Sequence, residues 1–235
     1  MTERPILFSA PMVRAILAGT KTQTRRIIKC PAHYQIEEKD DGKPWPWMYD
    51  SERDRDHFMP CPYGEPGTRL WVREAFMHEP ADYCWEASVS IPCRPASTVY
   101  RADFPDSKPG EGWKPSIHMP RNLSRITLEI VDVRVERLQD ISEADAIAEG
   151  CVARPFPGPW WQGYRRREDG ELMHQQVVGD DPPAWMIEPH KMKHAAHLDR
   201  SARDDFRSVW MQINGAESWE ANPWVWCVSF RRVTP

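Results

Sequence analysis

Lys21, Thr24, Arg25 and Arg26 fall within residues 21–26, just past a segment of helical periodicity. A threonine hydroxyl becomes a nucleophile only when a base takes its proton. A lysine that has lost water, or is crowded by other cations, can act as that base. In a regular strand, side chains three apart point to opposite faces. A shared pocket for Lys21 and Thr24 therefore requires a turn between them. Arg25 or Arg26 can fork onto a carboxylate, a phosphate or a base edge. The same run also reads as a solvated basic turn leading into a strand.

Acids to partner those cations occur at Glu74, in WVREAF, and at Glu143, Asp145 and Glu149. Asp145 and Glu149 are four apart and share a helical face. Surface helices carry such acids too, but an acid buried near Lys21 or Arg26 needs a cation of this kind. His190, His194 and His197 have helical spacing, yet Lys191 stands where a zinc-protease motif needs glutamate. Cys30, His33 and Cys61 make an incomplete ligand set, so no metal is expected. Trp160, Trp161, Tyr164, Arg165, Arg166 and Arg167 offer stacking faces beside cations, which suit single-stranded RNA. They suit equally a loop sealed onto a core, with arginine stems covering tryptophans. Trp45 and Trp47 pose the same choice. Glycine-rich phosphate loops and the serine-hydrolase elbow are absent from the sequence, so no nucleotide cofactor is expected.

The elements that must place these residues read as follows. A strand at 5–8 leads to a helix with Ser9 at its N-cap, Met12, Val13, Ile16 and Leu17 on its apolar face, and Gly19 past its end. Residues 68–72 and 97–101 read as strands, and 104–120 as proline-rich loop. In 125–137 two alternating apolar sets, Ile126, Leu128, Ile130 and then Val131, Val133, Val135, are offset by one place. A β-bulge near Ile130 and Val131 would turn both sets inward, as in a strand curling round a small barrel. A short helix at 142–149 is capped by Ser142 with Asp145 and stopped by Gly150. Ser201 caps a third helix, with Phe206, Val209, Trp210 and Ile213 on one face. In the closing strand at 224–233, both faces are largely apolar. Residues 31–60 and 151–199 read as loop excursions.

The 235 residues suit one large domain or two small ones. Net charge is −4, which excludes a globally basic nucleic-acid coat, but residues 1–30 hold six Lys or Arg against one acid. No apolar run is long enough for a membrane span. The N-terminus makes a poor export signal, so a cytoplasmic location and six reduced cysteines are expected. The 23 prolines and 12 tryptophans imply a modest sheet core with long ordered loops. The expected class is α+β, a small mixed or antiparallel barrel with a few flanking helices.

The stretch Ile16 to Arg26, ILAGTKTQTRR, resembles the opening motif of the ASCH domain family, a PUA-like β-barrel group. GTRLWVRE at 67–74 resembles its next strand, 125–149 its long strand and short helix, and 222–233 its last strand. HMPRNLSRITLEI and SWEANPWVW resemble stretches of the larger proteins of phages and prophages. The resemblance implies one PUA-like domain over 1–235 with insertions at about 31–60 and 151–199. One branch of the family removes the acetyl group from 4-acetylcytidine without metal or cofactor. Its catalytic Lys and Thr match Lys21 and Thr24, its Glu falls at Glu149, and Glu74 is the rival acid. Arg25, Arg26, Trp71, Arg73, His118 and Arg121 complete the set expected around the substrate. The implied partner is a modified nucleoside or single-stranded RNA. A non-catalytic reader, or a ribonuclease using His118 and Arg121, remains the alternative.

Overall fold

The computed structural model describes residues 3–39, 41–79, 82–86, 89–94, 97–107, 112–153, 160–178, 183–192 and 200–233. The first part of the chain holds β1 (Glu3–Leu7), α1 (Ala10–Leu17), β2 (Gln23–Ile27), β3 (Gln35–Glu38), β4 (Pro44–Asp50), β5 (Arg55–Phe58) and β6 (Arg69–Arg73). Then come β7 (Phe76–Glu79), β8 (Asp82–Glu86), β9 (Val89–Arg94), β10 (Ser97–Tyr100), β11 (Thr127–Arg137) and α2 (Glu143–Ala148). The rest comprises β12 (Trp160–Arg166), β13 (Leu172–Val178), β14 (Ile187–Met192), α3 (Ala202–Asn214) and β15 (Trp224–Val233). Among the described residues, no helix is long and apolar enough to cross a membrane.

The central sheet has the order β1-β6-β11-β15-β2. Only β1 and β6 run parallel, and the other pairs are antiparallel. The class is α+β, but the expected β-barrel is not formed. Closure requires hydrogen bonds between the first and last strands, whereas β1 and β2 are the two edges of an open sheet. The chain leaves β1 directly into α1, whose Val13 and Ile16 join Phe8 in the core. One side-chain bond links the edges, from Arg26 Nη2 to the Leu7 carbonyl at 2.8 Å. The four remaining sheets are open and have two or three strands each.

The offset apolar sets of β11 have a structural cause. Its register with β15 shifts between Ile130 and Asp132, making Val131 the extra residue of a bulge. Val131 is 54% exposed, while Ile126, Leu128, Ile130 and Val135 are buried in one cluster, with Val133 packed against it. β15 is buried on both faces. Trp226, Val228 and Phe230 enter the cluster containing β1, β6 and α1. Val225 and Cys227 enter a second cluster, built from Ala146 of α2 with Phe206 and Trp210 of α3.

Ser142 and Ser201 accept hydrogen bonds from the amides of Asp145 and Asp204, so both cap their helices. Ser9 caps through its backbone alone: its carbonyl accepts from Val13 at 2.9 Å, and its hydroxyl makes no cap. Ile213, expected on the apolar face of α3, is exposed.

The two excursions are not plain loops. β3, β4 and β5 form an antiparallel sheet, and so do β13, β12 and β14. Their alternation is hard to see because they bury little: every residue of β5 is exposed. Trp45 of β4 is the anchor of the first of these sheets. It packs edge-on against Trp226 with ring centroids 5.0 Å apart, and its indole donates to the Met59 carbonyl at 3.0 Å.

Inserting one alanine after Val131 would turn residues 132–137 to the wrong face. It should cost about 3 kcal/mol or more through lost burial of Val133 and Val135. Val131→Ala should stay within about 0.5 kcal/mol, as an exposed substitution does. Urea unfolding of the two variants separates the bulge from the side chain.

Candidate active site

Lys21 lies between the end of α1 and the start of β2. Gly19 takes a left-handed backbone (φ 77°), and the amides of Thr20 and Lys21 both donate to the Ala15 carbonyl, at 2.9 and 3.1 Å. This turn precedes Lys21; the turn expected between Lys21 and Thr24 is not formed, and the chain runs from Lys21 directly into β2. Lys21 then forms an isolated antiparallel bridge with Glu149, and the Thr22 amide donates to Ala148 at 2.8 Å. Gly150 makes this approach possible. Its φ is 87°, and a Cβ there would meet the Cβ atoms of Ala15 and Lys21 at 3.1 and 3.2 Å.

The bridge places Lys21, 2% exposed, directly on Glu149. Its Nζ donates to Glu149 Oε2 at 2.6 Å and to the Glu149 carbonyl at 2.8 Å. Phe8 covers the amine, its ring centroid 5.7 Å from Nζ. Burial lowers the pKa of the lysine from its ordinary value of 10.5, although the charge and hydrogen bond of Glu149 act in the opposite direction.

A second set of charges supports the pair. Buried Arg25 donates to Gln23 Oε1 at 2.8 Å and Glu136 Oε2 at 2.9 Å, and lies 3.4 Å from Asp145. Arg134 joins Glu136 and also Asp145, the latter at 2.6 Å. Three cations, Lys21, Arg25 and Arg134, thus face three carboxylates, Glu136, Asp145 and Glu149. Burial would raise Glu136, but hydrogen bonds from Arg134 and Cys227 and the charge of Arg25 hold it below the ordinary carboxylate range. Asp145 is lowered against its own burial by Ser142, Arg25 and Arg134.

Thr24 is opposite Val228 on β2 and is 1% exposed. With Glu149, Arg25, Tyr63 and Trp210 it walls a cavity of about 240 Å³. Among the described residues its hydroxyl makes no hydrogen bond, to Lys21 or to any other group. Bonds from Phe230 to Thr22 and from Ile28 to Trp224 set the ladder on this side of β2. By alternation, the amides and carbonyls of Arg25 and Ile27 face away from β15. Three side chains on the cavity wall each carry a buried polar atom without a hydrogen-bond partner: Arg25 Nε, Trp210 Nε1 and Glu149 Oε1, the last 3.7 Å from Arg25 Nη1. Unpaired buried polar atoms are costly, and three around one cavity call for a ligand with matching groups.

The other sequence candidates lie elsewhere. Glu74 is buried and held in a two-pronged pair by Arg125, at 2.9 and 3.1 Å, so it does not reach Lys21. Burial raises its pKa, and Arg125 opposes that rise. Arg26 lies over Phe8 at 5.3 Å and edges the cavity. Arg73 stacks on Trp71 at 5.4 Å and donates to the Ile117 carbonyl. His118 is exposed in the short turn Ser116–His118. Arg121 is taken by Glu3 at 2.6 Å. None of Trp71, Arg73, His118 and Arg121 lines the cavity.

Among the described residues no group of three His, Cys, Asp or Glu is placed to hold a metal ion, and Cys30, His33 and Cys61 form none. His194, His197 and the side chains of His190, Trp160 and Trp161 lie outside the described residues. Trp210, read from periodicity as core, and Arg134 and Glu136, within the strand at 125–137, are members of the site that pattern alone did not single out. Comparison with family models, with curated proteins and with solved structures finds no match.

Lys21→Met strands Glu149 as a buried charge and should cost about 3–5 kcal/mol. The double variant Lys21→Met/Glu149→Met removes both charges and should recover most of that loss. Chemical unfolding of the two proteins checks it.

Proposed function

We propose that the protein is a metal-independent amidohydrolase of the ASCH type, which removes an acyl group from the exocyclic amine of a modified cytidine or a related nucleoside. One observation carries the reading. A desolvated lysine, held by a buried carboxylate, stands beside a cavity whose wall presents an unbonded threonine hydroxyl. The unpartnered atoms give further support. Glu149 Oε1 suits an exocyclic N–H, while Arg25 Nε and Trp210 Nε1 suit the ring nitrogen and carbonyl acceptors of a pyrimidine.

In this mechanism Lys21 acts as the neutral amine. It takes the Thr24 proton as Thr24 Oγ1 bonds to the acyl carbonyl carbon. The C–N bond then breaks, and the proton on Lys21 passes to the departing amine, with Glu149 orienting the transfer. Water cleaves the resulting threonine ester, giving up its proton through Lys21, and the acid leaves. Burial lowers the cost of the neutral amine, while Glu149 keeps it in place. Among the described residues Lys21 Nζ hydrogen-bonds to Glu149 alone, so substrate must draw the amine toward Thr24, as catalytic hydrogen bonds often tighten only on binding.

The same observation supports a second reading, a non-catalytic reader of modified nucleotides, because Lys21 spends two donors on Glu149 and none on Thr24. Chromatography of N4-acetylcytidine reactions decides between them. The hydrolase should release cytidine and acetate, and Thr24→Val and Lys21→Ala should each lose roughly a thousandfold or more, a scale set by loss of a nucleophile or its base. Tight binding with no product from any acylated nucleoside would leave the reader.

The pH profile adds a test of the base. Raising pH through the lowered pKa of Lys21 converts inert ammonium to active amine. The rate should therefore climb with pH along a limb centred below 10.5. Stopped assays across the alkaline range locate that limb.

A further inference from the structure

A second cavity, of about 490 Å³, opens on the other side of α1. Among the described residues its wall carries three cations, Arg14, Arg101 and Lys114, and no acid. Arg14 makes a single long bond, 3.3 Å to the Ala102 carbonyl. The side chains of Arg101 and Lys114 have no hydrogen-bond or ion-pair partner among the described residues. Their backbones are nonetheless fixed: the Arg101 amide donates to Ala75 at 2.9 Å, and Lys114 and Phe76 exchange bonds at 2.8 and 3.2 Å. Of the described acids near them in sequence, Glu74 and Asp103 are engaged by Arg125, and Asp106 is exposed and pairs with neither Arg101 nor Lys114. Among the described residues no acid pairs with Arg14, Arg101 or Lys114.

The remaining wall suits a nucleotide. Phe104 and Trp113 meet with ring centroids 5.8 Å apart, and Phe104 is 48% exposed, which leaves an aromatic face for a base. Trp113 Nε1 is buried without a hydrogen-bond partner, although a partly buried indole ordinarily finds an acceptor. Ser9 and Ser116 add hydroxyls. The first turn of α1 holds no acid, and the Ser9 side chain leaves its amides uncapped.

We propose that this cavity binds the phosphate of a nucleotide through Arg14, Arg101 and Lys114, with the base stacked on Phe104. The site is separate from the Lys21 and Glu149 cavity and does not rest on the hydrolase reading. The phosphate can belong to a mononucleotide or to single-stranded RNA.

Calorimetric titration of the full chain with 5′-CMP, with cytidine and with a short oligocytidylate tests the assignment. The variant is Arg101→Gln/Lys114→Gln. The charge-matched control is Lys43→Gln/Arg53→Gln, at two exposed cations away from the cavity. Thermal melts establish that both fold. The variant should weaken at least one phosphate-bearing ligand roughly tenfold to a hundredfold, as expected for lost charge-assisted bonds, and the control should not. Loss with 5′-CMP assigns a mononucleotide. Loss with the oligomer alone assigns a strand, and the salt slope should then fall by about 0.7 for each phosphate contact removed. Equal affinities in variant and wild type, equal losses in variant and control, or cytidine binding as strongly as 5′-CMP and the oligomer would overturn the proposal.

Discussion

The contact between Lys21 Nζ and Glu149 Oε2 constrains the rest of this molecule. An ammonium removed from water carries a penalty of several kcal/mol unless a counter-charge and hydrogen bonds meet it. Here the carboxylate and the carbonyl of one residue meet it together. That requires the backbone at 149–150 to come within bridging distance of Lys21, and so requires a glycine at 150. It also requires α2 to end where it does, six residues after its Ser142 cap. Arg25 and Arg134 then neutralise the other two carboxylates that β11 and α2 bring to the same place.

The open sheet explains why a cavity exists at this point. β15 is buried on both sides, by an aromatic and aliphatic cluster on one face and by α2 and α3 on the other. The strand beyond it, β2, has no further neighbour. Its outer edge faces α3 across a gap, and Thr24, Arg25 and Trp210 meet there. A closed barrel would have covered that edge with β1. Instead α1 intervenes, with one cavity on each side of it.

Several features of this arrangement are legible in the sequence because their causes are local. The offset of the apolar sets in 125–137 marks the bulge, since one extra residue is the only way to keep both on the core side. Ser142 and Ser201 mark helix starts because their hydroxyls serve amides three places on. The small outer sheets escaped notice for the opposite reason. They bury little, so hydrophobic alternation does not record them. Curvature at a bulge also says nothing about whether two distant edges meet, which is why a bent strand was not enough to specify a barrel.

The choice between Glu149 and Glu74 shows where sequence stops. Both are acids beside apolar segments, and both are buried. Residue type and spacing determine that Lys21 follows a helix stop and that Glu149 ends a capped helix. Tertiary structure alone decides that Glu74 is held by Arg125 while Glu149 receives Lys21, because a charge buries itself against whichever opposite charge the fold brings within a few ångströms. It also decides that Trp210, one of several apolar residues in a helix, leaves its indole nitrogen unpaired on the wall of the same cavity.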